Sequence, residues 1–405
     1  MHLEKLKLYS LLSVALLISS GPAIAANIPA ITKEFSTTNS THVGLLTTIP
    51  SLFVIIGILI GNRLELWIGK KKTILMGLGL VFLSGIFPAL KHDIFLLLFL
   101  SRCIFGLGIG LFNRLIIQMI SDLYQHNPDQ RARVIGMESS FEGLGGICLT
   151  LLVGQLLKIS WHTSFLVYAI ALPIFLAFFF FIPDDKKQLE KRTTTQKITV
   201  SDSLDDRNAY RLVIGFGMLL FIIVTIFINY NIQITPLILE KNIGNATNGS
   251  NMIAFIGLGA FIAGFVFGKM FQLLKDYTMP ISLLLMGVFM YLTTISESIL
   301  LTTFSSMVIG FAFRSIMPYL LHTFTQKTAK IARLGTTIVL VSYNIGSTLS
   351  PYEGSVFSQL LHVNTVQSLI FANSIFILFI SIIGLVIVFI DRKRKNGQII
   401  QKEEN

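Results

Sequence analysis

The stretch SLIFANSIFILFISIIGLVIVFI (368–390) carries no charged residue from end to end. About 20 consecutive apolar residues is what a helix needs to cross the roughly 30 Å hydrocarbon core of a bilayer. LVFLSGIFPAL (80–90) is equally free of charge. Of all 405 residues, 53% are apolar and only 13% are charged, against roughly 25% charged in a water-soluble chain. Too little polar side chain is present to cover a surface facing water. These runs make the chain an all-α membrane protein.

Apolar runs bounded by charged or turn-rich segments place twelve transmembrane helices. They fall at 9–31, 44–62, 73–90, 94–120, 134–157 and 164–182, then at 210–236, 251–272, 279–298, 299–324, 334–361 and 368–390. The ninth and tenth are separated only by a short polar step at Glu297. The first run starts with Lys5 and Lys7 and contains Ala23-Ile24-Ala25, which has the look of a cleavage site. Its apolar character nevertheless continues to Ile31, so it is read as a retained span. Pro22 and Pro29 within it are tolerated where neighbouring helices supply hydrogen-bond partners.

The segment PDDKKQLEKRTTTQKITVSDSLDDRNA (183–209) has the composition of a solvated linker. Six spans precede it and six follow. The organisation is therefore two six-helix bundles, 1–182 and 210–390, a linker at 183–209 and a tail at 391–405. A substrate site is expected near the midplane between the halves. GLFNR (110–114) and GFAFR (310–314) share a Gly-x-x-x-Arg pattern at a spacing of 200, which suggests an internal repeat.

The net charge of +11 is unevenly placed. Lys33, Lys91, Lys158 and Lys241 are the basic residues of one set of connecting segments, and Arg102, Arg114 and Arg314 lie within spans. The remaining 25 of 32 basic residues sit with the two termini on the other side. This bias predicts a multi-pass protein of the cell membrane with both termini cytoplasmic. Charge spread over inner loops, with no nucleic-acid motif, excludes nucleic acid as a partner and matches anionic lipid headgroups. Cys103 and Cys148 lie in apolar runs without a CxxC pair, which excludes a disulfide framework and a metal site. The seven histidines form no HExxH pairing. Without a glycine-rich phosphate loop ending in Lys-Ser/Thr, ATP does not drive this chain. The expected partners are the bilayer, a small-molecule substrate and protons, with no cofactor and a monomeric protein.

The turn NRLELWIGKKKTILMG (62–77) joins the second and third spans. It resembles the signature turn of the major facilitator superfamily: Gly, three residues, Asp, a basic residue, one residue, Gly, then two or three basic residues. Gly69, Lys70, Lys71 and Lys72 meet its second half. Counting back, the Asp position falls on Leu66 and the first Gly on Asn62, while Glu65 and Gly61 each lie one residue early. The resemblance implies a conformational gate carried by Glu65, Gly69, Lys70 and Lys71. In the fourth span, Arg102, Gly106 and Gly108 are similar to a pattern of the family's drug:proton antiporters. The Pro that the same group carries in its fifth span has no counterpart in EGLGGICLTLLVG (142–154).

Ionisable groups inside spans are costly and mark pathways or proton relays. Glu138 and Glu142 are one helical turn apart on a shared face. Arg114 and Glu142 reach depths equal to within roughly 3 Å at a 1.5 Å rise per residue, which allows an ion pair. Three readings follow: Glu142, with Glu138, Arg114 and Arg102, handles a transported proton, the pair statically locks the fourth and fifth spans, or these groups contact the substrate directly. Asn229 and Gln233 share a face, and Arg314, Tyr343 and Asn344 complete a candidate substrate cavity. The leading expectation is a secondary transporter working by alternating access, exporting drug-like or amphiphilic compounds against protons. The alternatives are an importer or exchanger of a small anion, a transport-inactive sensor, and a membrane-embedded enzyme.

Overall fold

The computed structural model describes residues 2–124, 128–183, 204–325, 329–361 and 365–403. Every regular element among them is helical. The chain begins with α1 (His2–Ala15), a 3-10 segment (Gly21–Asn27) and α2 (Ile28–Glu34). Four long helices follow, α3 (Ser40–Ile68), α4 (Lys70–Leu90), α5 (Phe95–Leu123) and α6 (Pro128–Leu156), and then a 3-10 segment (Thr163–Ile170) leading into α7 (Ala171–Phe181). Beyond the expected linker come α8 (Leu204–Glu240), α9 (Ala246–Leu274), α10 (Thr278–Ile295), α11 (Ile299–Thr325), α12 (Ala329–Leu361) and α13 (Val366–Glu403). Nine stretches of the described residues are long and apolar enough to cross a membrane, and one of them, Ala246–Ile295, holds two helices.

Three expectations change. The first span is not one helix. Its chain tightens into i→i+3 hydrogen bonds from Leu16 to Ser20 and restarts after Pro22, with Pro29 opening α2. A proline has no N–H to donate and its ring crowds the carbonyl four residues back. The tail is not separate from the last span, because α13 runs on through residue 403. Of the linker, 184–203 lies outside the described residues, and 204–209 already belongs to α8. The weak step at Glu297 does interrupt the helix, between Ile295 and Ile299.

Close helix crossings are built on glycine. At the α3–α5 crossing a Cβ on Gly110 would lie 2.3 Å from the Val54 carbonyl oxygen and 2.7 Å from Gly57 Cα. At the α9–α11 crossing a Cβ on Gly310 would lie 2.0 Å from the Ile256 oxygen, and one on Gly259 would lie 1.8 Å from the Met307 oxygen. Small residues let backbones approach in a membrane, where apolar burial gives no net drive between helices.

Two antiparallel pairs connect the first seven helices to the last six. Along α3 and α12, Thr41 meets Ser355 (2.7 Å), Gly44 packs on Pro351, the Thr48 hydroxyl donates to the Thr348 carbonyl (3.4 Å) and Ser51 meets Ser347 (3.1 Å). Along α6 and α9, the Ser250 hydroxyl donates to the Thr150 carbonyl (2.6 Å) and the Thr247 hydroxyl to the Gly154 carbonyl (3.1 Å). Both ladders lie at the end away from Lys70–Lys72. Towards the basic end, a Cβ on Gly136 of α6 or on Gly264 of α9 would meet nothing within 4 Å.

Candidate functional site

Between the ladders and the basic end lies a cavity of about 460 Å³, within the roughly 300–1,000 Å³ of small-molecule sites. The interrupted first segment contributes Ser19, Pro22 and Ala25, and α3 contributes Thr47 and Thr48. From α6 come Ser139, Ser140 and Glu142; from α8 come Phe227 and Asn231; from α9 come Phe261, Gly264 and Phe265. Phe313 and Arg314 of α11, with Tyr343 and Ser347 of α12, close the far wall.

The cavity's charges are Glu142 and Arg314. Ser19 donates its hydroxyl to Glu142 Oε1 at 2.5 Å. The break in the first helix makes this possible by turning a serine-rich stretch toward α6, where Gly145 packs against the Leu16 backbone. Arg314 faces the cavity and has no hydrogen bond or ion pair with any described residue. Glu142 and Arg314 both act electrostatically on the Tyr343 hydroxyl between them.

Several candidate residues lie elsewhere. Arg114 does not pair with Glu142. Its guanidinium donates to Asn62 Oδ1. With the Gln118 amide oriented to satisfy both its ends, Arg114 also donates to Gln118 (2.5 Å), which in turn donates to Glu65 (3.0 Å). Depth along a helix does not fix a side chain's direction around it: Arg114 projects from α5 toward α3 rather than toward α6. Arg102 is 1% exposed. It donates from Nε to the Leu46 carbonyl (3.0 Å) and from Nη2 to the Gly21 carbonyl (2.9 Å), and it stacks over the ring of Phe105 at 4.3 Å. Gly21 belongs to the break, and the Leu46 carbonyl lacks its intrahelical donor because Pro50 stands four residues on in α3; a guanidinium with several N–H donors suits both. Arg102 therefore fastens the break and does not reach the cavity.

Glu138 is buried beside Ser139 and does not line the cavity. Asn229 donates to Glu353 Oε2. Gln233 lines a second cavity of about 420 Å³ on the far side of the α3–α12 ladder. Asn344 donates to the Leu340 carbonyl of its own helix (2.9 Å). Cys103 is buried, as expected of a small apolar residue, whereas Cys148 is exposed.

The residues expected to form a gate lie near one another at the basic end. Gly69 joins α3 to α4 with φ +85°, a conformation that a Cβ disfavours. Its carbonyl accepts from the Thr73 hydroxyl (2.8 Å). Lys70 forms a salt bridge with Asp122 of α5, and Lys71 sits over the Phe179 ring at 5.4 Å. Asn62, Gln118 and Asp122 join this cluster although sequence reasoning does not single them out. Their signal was a helical spacing of four along α5, from Arg114 to Gln118 to Asp122.

A family model described as Major Facilitator Superfamily matches residues 9–273. The hexuronate transporter of Bacillus subtilis (strain 168) is 26% identical over 262 residues, which cover 61% of this chain and 61% of that relative. Among solved structures, a peptide transporter POT in complex with sulfate superposes with a TM-score of 0.69 at 15% identity, covering 94% of each chain. A D-xylose-proton symporter gives 0.67 at 13% identity, with 93% of this chain and 96% of that one covered. The nucleoside transporter NupG gives 0.70 at 14% identity, with 94% and 99% covered. At these identities the likeness to the solved structures is one of fold.

Proposed function

The chain belongs to the Major Facilitator Superfamily, and we propose that it is a secondary transporter of a small organic anion working by alternating access. The family and fold are those of transporters, not of enzymes. In this reading the chain crosses the cell membrane twelve times, as two six-helix bundles at 1–182 and 210–390. The basic end with both termini is cytoplasmic, following the lysine and arginine bias. The cavity then opens to the cytoplasm while the two hydroxyl ladders seal the opposite face.

The observation that carries the substrate class is Arg314, a guanidinium lining the cavity with no partner among the described residues. A substrate carboxylate or phosphate supplies the charge-assisted, bidentate contact this group is shaped for. Glu142, held by Ser19, sits across the cavity, where it selects hydroxyl or amino donors on the same molecule. Tyr343 and Asn231 add neutral hydrogen-bonding positions. The curated relative named a hexuronate transporter supports trying sugar acids first.

A second reading, proton-linked efflux of amphiphilic compounds, draws on the aromatic wall of Phe227, Phe261, Phe265 and Phe313. Proteoliposome uptake of radiolabelled sugar acids and other small carboxylates, set against neutral sugars and lipophilic cations, separates the two. Anion uptake that Arg314→Ala abolishes supports the anion reading. Flux confined to lipophilic cations, indifferent to Arg314, overturns it in favour of efflux.

A further inference from the structure

Away from the cavity, on the rear of α12, lies a buried polar cluster that neither the substrate site nor the gate uses. Glu353 is 9% exposed, Asn229 on α8 is 1% exposed and Asn373 on α13 is 1% exposed. Asn229 donates its amide N–H to Glu353 Oε2, and the Asn373 amide lies beside the carboxyl. Glu353 Oε1, Asn229 Oδ1 and Asn373 Oδ1 have no hydrogen-bond partner among the described residues. Three orphaned oxygens around one buried carboxyl leave the cluster short of hydrogen, not of acceptors.

No cation among the described residues offsets the carboxyl. From α8, Asn229 faces it, with Gln233 beside the neighbouring Gly354; Tyr230 is turned to Ser306 on α11. Glu240, the next acidic group along α8, is taken up by the Val366 and Gln367 backbone N–H groups. From α13 comes Asn373, with Leu369 packed at Gly354. The nearest charged residue of α11 is Arg314, which lines the central cavity, and from α3 the nearest titratable group is exposed His42. No ionised group among the described residues acts electrostatically on Glu353. An unpaired carboxylate in such a setting neutralises by taking up a proton. Asparagine suits both states of the group: its N–H₂ donates to the carboxylate, and a turn of the amide offers its oxygen to the protonated acid.

The position links this carboxyl to the α3–α12 ladder. Ser347, Pro351 and Ser355 meet α3 at intervals of one helical turn. Glu353 lies within the last of those turns, rotated by about 200° from Pro351 at 100° per residue. Gly354 and Ser355 line the second cavity, which gives this turn a route for water on the side away from the substrate.

We propose that Glu353, held between Asn229 and Asn373, is a proton-binding site whose occupancy sets the closure of the α3–α12 ladder. With the proton bound, the turn is neutral, stays dry and keeps the ladder shut. When the proton leaves, the charge draws water in through the second cavity and the ladder opens. This deepens the transporter reading and rests on it for its purpose, but its test needs no substrate.

Two measurements on the purified full chain decide it. Infrared difference spectra across an acid-to-alkaline titration are expected to show the C=O stretch of a neutral carboxylic acid. Every carboxyl of the chain contributes to that band; Glu353→Gln is expected to remove one component of it, which Glu138→Gln, at another buried carboxyl, leaves in place. In a Cys103→Ser, Cys148→Ser background, the pair Thr41→Cys and Ser355→Cys is expected to cross-link well in acid and severalfold less in alkali. Adding Glu353→Gln is expected to make the yield high at every pH. A band unchanged in Glu353→Gln, cross-linking that ignores pH in the parent, or a titration displaced by sodium overturns the proposal. If Glu353→Gln fails to fold, Glu353→Asp serves, and an unmoved band there overturns it equally. Failure of every solute to be transported would sink the transporter reading and leave these two outcomes standing.

Discussion

The α3–α5 and α9–α11 crossings start from the same design and end in different chemistry. Each crosses through a glycine pair, Gly57 with Gly110 and Gly259 with Gly310, and each places an arginine one turn beyond the second glycine. Arg114 is enclosed by Asn62, Gln118 and, through Gln118, Glu65. Arg314 has none of these. Five residues past Gly57 stands Asn62, but five past Gly259 stands Gly264. Eight past them stand Glu65 and Phe267. Four past the arginines stand Gln118 and Pro318. Removing three polar partners from one copy turns a clamp into an unoccupied guanidinium beside a cavity. A charge in a membrane protein takes its role from what its neighbours lack as much as from its own position.

The shared features of the two crossings carry the largest effects. Gly110→Val and Gly310→Val each drive a side chain into a backbone carbonyl that cannot rotate away. Overpacking usually costs about 1–3 kcal/mol and sometimes more, and here both variants are expected to lose monodisperse folded protein on size-exclusion chromatography. Tolerance of one but not the other would break the equivalence of the two crossings.

The next effect separates them. Arg314→Ala forfeits a charge-assisted contact worth about 1.5–3 kcal/mol, so the KM for an anionic substrate is expected to rise roughly 10- to 150-fold. Arg314→Lys keeps the charge but loses the fork and is expected to fall between. Thermal unfolding in detergent should stay near that of the parent. If it drops sharply, Arg314 is holding the fold instead.

A transplant sharpens the contrast further. A Cβ at Gly264 meets nothing within 4 Å, so Gly264→Asn has room to give Arg314 the partner that Asn62 gives Arg114. Competition for the guanidinium by a neutral hydrogen bond of about 1 kcal/mol predicts a roughly 3- to 10-fold higher KM. An unchanged KM would mean that the two crossings do not share their local geometry. The smallest effect on binding is expected at Arg114→Ala, within about threefold. Its consequence should appear instead in distances between spin labels on α4 and α6, as a looser basic end.

Much of the architecture was legible because length and apolarity alone decide where a helix must cross. The polar step at Ser296–Ser298 was enough to mark the end of α10. Legibility stopped where a side chain's direction around its helix had to be matched to a neighbour. The 3.6-residue period puts Asn229 and Gln233 on one face. It does not say that this face meets Glu353 and the second cavity rather than the central one. Depth alone likewise paired Arg114 with Glu142. The break in the first helix hid for a related reason: prolines occur in straight and broken membrane helices alike, and only the Gly21 carbonyl taken up by Arg102 marks this one as a true interruption.

The ladders that hold the far face shut have a kinetic consequence. Their rungs are mostly serine and threonine hydroxyls, either of which can donate at Thr41–Ser355 and Ser51–Ser347. Each rung is a neutral hydrogen bond whose partners exchange readily for water at small net loss. Such a seam has no keystone. It can unzip rung by rung, with water advancing behind the break, so the barrier to reversal approaches that of a single rung. Losing any one hydroxyl should then shift the speed of the cycle modestly, where losing half of a buried ion pair would jam it.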